Sequence, residues 1–217
     1  VTDKMIALTV DQQQIEAEPG TLLLKACLDS GIYIPNLCYL EQLRPAPASC
    51  RLCFVEIEGE QQPLTACTRV VEPGMVVRTD TPAVRRLQKT GLQLLLSVHH
   101  VDCRNCPANR KCPLQDMAKY LKVGLKPKHL DRRLKTPEID RSHPQLDYYP
   151  NRCVLCGKCL EVCRSRNGQA VFTFARRGFD TVIHYLGASD SEPITGAAVS
   201  ACVAICPVAA LLPKNAD

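Results

Sequence analysis

Tryptophan is absent and only four phenylalanines occur in 217 residues. A single core built on large aromatic rings is therefore excluded. Small modules with thin cores need staples, either disulfides or metals. No apolar run approaches the roughly 18 residues of a membrane-crossing helix, so direct membrane insertion is not expected. The first ten residues, Val-Thr-Asp-Lys-Met-Ile-Ala-Leu-Thr-Val, lack the apolar stretch and small-residue cleavage site of a secretory signal. Also missing are Gly-x-Gly-x-x-Gly, a Walker loop, a Gly-x-Ser-x-Gly elbow and the radical-enzyme pattern Cys-x₃-Cys-x₂-Cys. No residue is assigned a catalytic role, and substrate chemistry is expected on other chains.

Cysteine is what the chain has in excess, fourteen residues of it. An even count suits a secreted disulfide framework, but here the cysteines cluster two residues apart, which suits convergence on metal. Metal ligation implies a reducing compartment, so a cytoplasmic location is expected. The formal charge is +5 with every cysteine neutral. One two-iron and two four-iron clusters would add about −5 together, which leaves the loaded protein near neutral. The basic balance is thus weak support for nucleic acid binding.

Residues 1–79 read as a first module. Met5 to Val10 alternates as a strand, Asp11-Gln12-Gln13 turns, and Gln14 to Ala17 returns. Thr21 is a candidate cap for a helix carrying Leu22, Leu23, Leu24, Ala26 and Cys27, with Gly31 as its stop. Cys53 to Ile57 and Gln61 to Ala66 form a hairpin around Glu58-Gly59-Glu60, and Val76 to Arg78 a last strand. Hairpin, helix, loop, hairpin is the order of a β-grasp ferredoxin.

A helical second module, 80–124, opens on Thr81-Pro82. Val84, Leu87, Leu94, Leu95 and Val98 make its apolar face, interrupted by Gly91. A short helix with Leu114, Met117, Ala118 and Leu121 stops at Gly124. Residues 125–150 form a basic, proline-containing linker with Lys126, Lys128, Arg132, Arg133 and Lys135, read as extended and surface-hugging, either a solvated connector or a docking strip for a partner's acidic surface. A third module, 151–217, holds two strands, Val171 to Ala175 and Thr181 to Tyr185. The expected fold class is α+β, in three small modules.

Three cysteine groups carry the chemistry. Cys38, Cys50, Cys53 and Cys67 can supply two thiolates to each iron of a [2Fe–2S] rhomb, although four thiolates also suit zinc. Ser49 and Arg51 in the same loop are candidate donors to the sulfurs. Cys27 fits no spacing and reads as a buried apolar residue. In the second group, Cys103, Cys106 and Cys112 can cover three corners of a cubane. His99 or His100 would be the fourth ligand, and a Cys₃His zinc site has the same composition. The third group, Cys153-x₂-Cys156-x₂-Cys159-x₃-Cys163, is the strongest signal for a [4Fe–4S] cluster. In two-cluster ferredoxins the fourth cysteine of such a run serves the other cluster, so the fourth ligand here is Cys206, which precedes Pro207. A second site on Cys163 and Cys202 would also need ligands at Gly196 and Val199, which cannot ligate. That site is expected to be lost, with Cys163 and Cys202 as buried free thiols.

These groups, in this order, resemble the N-terminal iron–sulfur region of the large electron-transfer subunit of respiratory complex I. They resemble more closely the diaphorase gamma subunit of cytoplasmic NAD-reducing [NiFe]-hydrogenases. The stretches that carry the resemblance are Ile34-Pro-Asn-Leu-Cys38-Tyr39, Cys50-Arg-Leu-Cys53, His99-His-Val-Asp-Cys103-Arg-Asn-Cys106 and Asn151-Arg-Cys153-Val-Leu-Cys156-Gly-Lys-Cys159. The resemblance selects His99 over His100. It implies one [2Fe–2S] and two [4Fe–4S] clusters, one His-Cys₃ and one Cys₄. It also implies a partner that binds FMN and NAD, and hydrogenase small and large subunits on the other side. The implied role is a relay of single electrons in H₂ + NAD⁺ = H⁺ + NADH. An NAD-dependent formate dehydrogenase subunit, a complex I-like subunit and a zinc-rich binding module are the alternatives.

Overall fold

Alternation over Ile6–Val10 buries Leu8 and Val10 and makes strand β1 (Ile6–Val10). Asp11 and Gln12 follow at φ 46° and 72°, the two-residue turn whose twist matches a hairpin. The chain returns as β2 (Gln13–Ala17), with Val10 opposite Gln13 and Ile6 opposite Ala17. Asp11 also fixes the far end of the module, because its carboxylate accepts the Thr79 N–H at 2.8 Å and the Thr79 hydroxyl. The structure, a computed structural model, describes residues 5–168, 170–187 and 195–214, so the extreme ends of the first and last expected modules lie outside the described residues.

Helix α1 (Leu23–Asp29) starts one residue later than a Thr21 cap would place it. Leu22 is its N-cap, and no side chain caps it. Its first amide is satisfied by backbone instead: Leu23 N–H donates to the Arg69 carbonyl at 2.7 Å, and Thr21 accepts from Val71 at 2.9 Å. Gly31 does stop the helix, at φ 76°, with Ile32 N–H returning to the Cys27 carbonyl at 2.8 Å. Strands β3 (Phe54–Ile57), β4 (Leu64–Thr65) and β5 (Val76–Arg78) complete a sheet in the order β2-β1-β5-β3-β4. β5 lies parallel to β1 and antiparallel to β3. Leu8, Val10, Leu23, Leu24, Val55 and Val77 form its aliphatic core with α1. Burying each such side chain contributes about 1.5–3 kcal/mol, so no large aromatic is needed.

Helix α2 (Pro82–Ser97) is capped by the Thr81 hydroxyl, which accepts the Val84 N–H at 3.2 Å. Its inward stripe differs from the expected one. Val84, Gln88, Leu92 and Leu96 are buried at four-residue steps, whereas Leu94 is 52% exposed. Gln88 is tolerated inside because its amide donates to the Phe54 carbonyl at 3.1 Å. Gly91 is a contact rather than an interruption, since a Cβ there would stand 2.6 Å from the Arg51 carbonyl oxygen.

The chain divides into two compact units, 1–92 and 93–217. In the second, a 3₁₀ turn over Cys103–Asn105 leads to α3 (Pro113–Leu121), which buries Leu114, Met117, Ala118 and Leu121. It ends at Lys122, left-handed at φ 54°, two residues before the expected stop at Gly124. The 125–150 segment is packed in part. Lys135, His143 and Leu146 are buried, and β6 (Leu146–Tyr148) is a strand. His143 Nδ1 accepts from the amides of Gln145 and Leu146, and its ring lies 4.4 Å from that of Tyr185 and 5.4 Å from that of Phe172.

Beyond it come α4 (Lys158–Asn167), the antiparallel pair β7 (Phe172–Ala175) and β8 (Val182–Tyr185), α5 (Gly196–Ile205), and β9 (Leu211–Pro213) against β6. The expectation of free thiols at Cys163 and Cys202 is corrected here. Both are fully buried, but α4 and α5 face each other and the two sulfurs are joined as a disulfide, Cα to Cα 6.1 Å. Among the described residues, no helix is long and apolar enough to cross a membrane.

Candidate metal centres

The loop between α1 and β3 and the 3₁₀ turn after β4 bring together Cys38, Cys50, Cys53 and Cys67, each at most 3% exposed. They meet in two pairs. Cys38 and Cys50 sulfurs are 3.4 Å apart, and Cys53 is hydrogen-bonded to Cys67. The Cys38 thiol is pulled down to about 5, first by the bond from Cys50 and then against the cost of burial; Ser49 adds a further bond. Cys50 is pushed up by the same shared proton and by burial. Cys67 is lowered by Cys53, which is itself raised. In each pair one sulfur is pushed down and its neighbour up by the hydrogen bond they share. Of the two loop donors expected, Ser49 reaches Cys38, while the Arg51 guanidinium lies 5.3 Å from the Phe54 ring centroid. Cys27 is outside the group, fully buried, and pushed up to about 12 chiefly by burial.

In the second group, Cys103 and Cys106 are half-buried on the 3₁₀ turn and Cys112 is buried at the N-cap of α3. The backbone amides of Leu114 and Gln115 bond to Cys112, whose thiol is raised by burial first and by Cys106 and Cys103 in addition. The two histidines differ. His100 is exposed, and its backbone N–H donates to the Asn151 carbonyl at 2.6 Å. The His99 ring is bonded to the backbone of Arg152, and its Nδ1 is buried without a hydrogen-bond partner. Burial pulls its pKa down to about 4, so the imidazole is neutral and has a lone pair to give. That orphaned nitrogen fits a metal ligand and is otherwise costly.

The third group gathers at the start of α4 and the end of α5. Cys153, Cys156 and Cys159 are each at most 8% exposed and Cys206 is half-buried. Cys156 and Cys206 raise the Cys153 thiol, after burial, to about 12, and the three together act on Cys159. Backbone amides are turned inward on them: Leu155 N–H to Cys153 at 3.4 Å and Ala210 N–H to Cys206 at 3.2 Å. The turns that aim them need left-handed residues, and Leu155, Gly157 and Ala209 have φ 52°, 74° and 50°. Such N–H···S bonds stabilise thiolates in a dry site. Sequence reasoning missed the Tyr148 hydroxyl, which is bonded to Cys153; no spacing announces a phenol five residues upstream. Among the described residues, no three His, Cys, Asp or Glu side chains are set round one point as a lone ion requires.

Family models match two regions: a 2Fe-2S iron-sulfur cluster binding domain over residues 3–82, and the NADH-ubiquinone oxidoreductase-G iron-sulfur binding region over 88–125. The chain is 36% identical over 209 residues to an NADH-quinone oxidoreductase subunit of Rhizobium meliloti, covering 96% of this chain and 24% of that one. It is 34% identical over 210 residues to the NADPH-Fe(3+) oxidoreductase subunit alpha of Geobacter sulfurreducens, covering 97% and 24%. It therefore spans about a quarter of the length of these curated relatives. A chain in the crystal structure of an NAD+-reducing [NiFe]-hydrogenase in the H2-reduced state superposes with a TM-score of 0.83 at 32% identity, covering 97% of this chain and 88% of that one. The chain has a 2Fe–2S-binding domain followed by a 4Fe–4S-binding domain, and it belongs to the family of iron–sulfur subunits represented in the NAD+-reducing [NiFe]-hydrogenase structure.

Proposed function

We propose that this chain is a non-catalytic electron-relay subunit. It passes single electrons through three iron–sulfur clusters between a flavin- and NAD-binding diaphorase subunit and the small and large subunits of a [NiFe]-hydrogenase, in the cytoplasm. The observation that carries the reading is the likeness to the hydrogenase chain, which extends over 97% of this chain and 88% of the other.

Bound iron–sulfur clusters would supply one-electron redox centres. The chain's own residues do the holding and the tuning. Cys38 with Cys50 and Cys53 with Cys67 would hold a [2Fe–2S] cluster, and their meeting in two pairs supports this, because such a rhomb takes two thiolates on each iron. His99, Cys103, Cys106 and Cys112 would hold a [4Fe–4S] cluster, supported by the unpartnered Nδ1. Cys153, Cys156, Cys159 and Cys206 would hold a second, in the ferredoxin-type module at 151–217, supported by the inward amides.

A second reading, the electron-transfer region of a complex I-like or formate-oxidising enzyme, draws on the similarity to the NADH-quinone oxidoreductase chain of Rhizobium meliloti. Anaerobic copurification separates the two. A nickel–iron large subunit in the complex supports the hydrogenase reading, and a molybdenum subunit or a quinone-reductase assembly in its place overturns it.

A further inference from the structure

Two buried groups converge on Cys153 without being candidate ligands. Tyr148 ends β6 and is 5% exposed. Its hydroxyl oxygen accepts the Ile183 N–H at 3.1 Å, which leaves its proton to donate, and its partner is the Cys153 side chain. In a loaded site that sulfur is an acceptor only. The second group is Lys135, 7% exposed, on the segment the sequence marks as a connector. Asn151, two residues before Cys153 and itself buried, grips the Lys135 backbone on both sides. Its Oδ1 accepts the Lys135 N–H at 2.7 Å, and its Nδ2 donates to the Lys135 carbonyl at 2.9 Å. Burial lowers the Lys135 pKa, and negative charge at Cys153 and Asp180 acts against that.

Burying an ammonium is costly unless negative charge faces it. A four-thiolate [4Fe–4S] cluster carries about −2 and becomes more negative on reduction. A donated O–H at a ligand sulfur and a cation beside it both favour the more negative state. We propose that Tyr148 and Lys135 are positioning residues that raise the reduction potential of the third centre by placing positive charge density at Cys153. The inference rests on the third-centre reading above.

The test is a redox titration followed by electron paramagnetic resonance, on the anaerobically isolated full chain, with iron measured alongside. Tyr148→Phe and Lys135→Gln each lower the midpoint potential of the third centre and leave the other two where they are, while Lys135→Arg, which keeps the charge, restores most of the shift. Variants that retain their iron and titrate like the parent overturn the inference. If Tyr148→Phe loses the cluster, the lysine pair decides: a lowered potential with Gln but not Arg supports it, and equal behaviour of the two overturns it. A parent protein without third-centre iron overturns the third-centre reading itself, and this inference with it; a filled centre with unmoved potential overturns the inference alone.

Discussion

The ring of His99 is bonded to the backbone of Arg152, the residue immediately before Cys153. One imidazole thus links the segment of the second candidate centre to the residue beside Cys153, the first candidate ligand of the third. His100 contributes through its backbone only, to the Asn151 carbonyl. His99→Ala is expected to cost the second centre its cluster, about four irons per chain, while His100→Ala leaves it in place. Iron analysis with low-temperature spectra of both variants decides. The reverse pattern transfers the ligand role to His100.

Gly91→Ala tests how tightly α2 supports the first centre. The new methyl would meet the Arg51 carbonyl between Cys50 and Cys53, and backbone cannot move aside as a flexible side chain would. Overpacking of this kind costs about 1–3 kcal/mol. The [2Fe–2S] absorption is expected to weaken and the melting temperature to fall. Gly124→Ala, where the added methyl meets open space, is the matched control and should change neither.

Cys153→Ala and Cys206→Ala are expected to remove the same four irons, about four per chain in each case. The two residues are far apart in sequence, one at the start of the cysteine run and the other just after α5. Loss with one substitution and retention with the other refutes a shared cluster.

The Cys163–Cys202 bond makes a prediction of its own. Alkylation after anaerobic denaturation should find two cysteines protected until a reductant is added. Closing a loop over a separation of 39 residues contributes about 4 kcal/mol on the chain-entropy account. Cys163→Ser with Cys202→Ser should therefore lower thermal stability and leave cluster iron unchanged. Full alkylation without reductant removes the bond from the account.

Much of the fold, and the grouping of the cysteines, was legible because cysteine spacing and local punctuation are both written in one dimension. The turn expected at Asp11-Gln12-Gln13, the Gly31 stop and the Thr81-Pro82 cap are local and all three are found, the turn one residue shorter because Gln13 already pairs with Val10. What failed was decided by distant partners. Thr21 is not a cap, because the strand-like segment at 69–71 already takes its backbone and that of Leu23. The buried stripe runs through Val84, Gln88, Leu92 and Leu96 and leaves Leu94 outside, and polar Gln88 is held inward by the Phe54 carbonyl. Lys135 and His143 look like linker residues, and only the packing of 125–150 against later elements buries them. Cys163 and Cys202 read as leftovers of a cluster site, and the facing of α4 and α5 pairs them.

The account turns on whether twelve side chains hold three clusters. Iron, acid-labile sulfide and zinc, measured on the anaerobically isolated chain, test this most directly. About ten irons per chain are expected, two in the first centre and four in each of the others, with matching sulfide and little zinc. Zinc in place of iron, or iron near two per chain after full reconstitution, contradicts the relay.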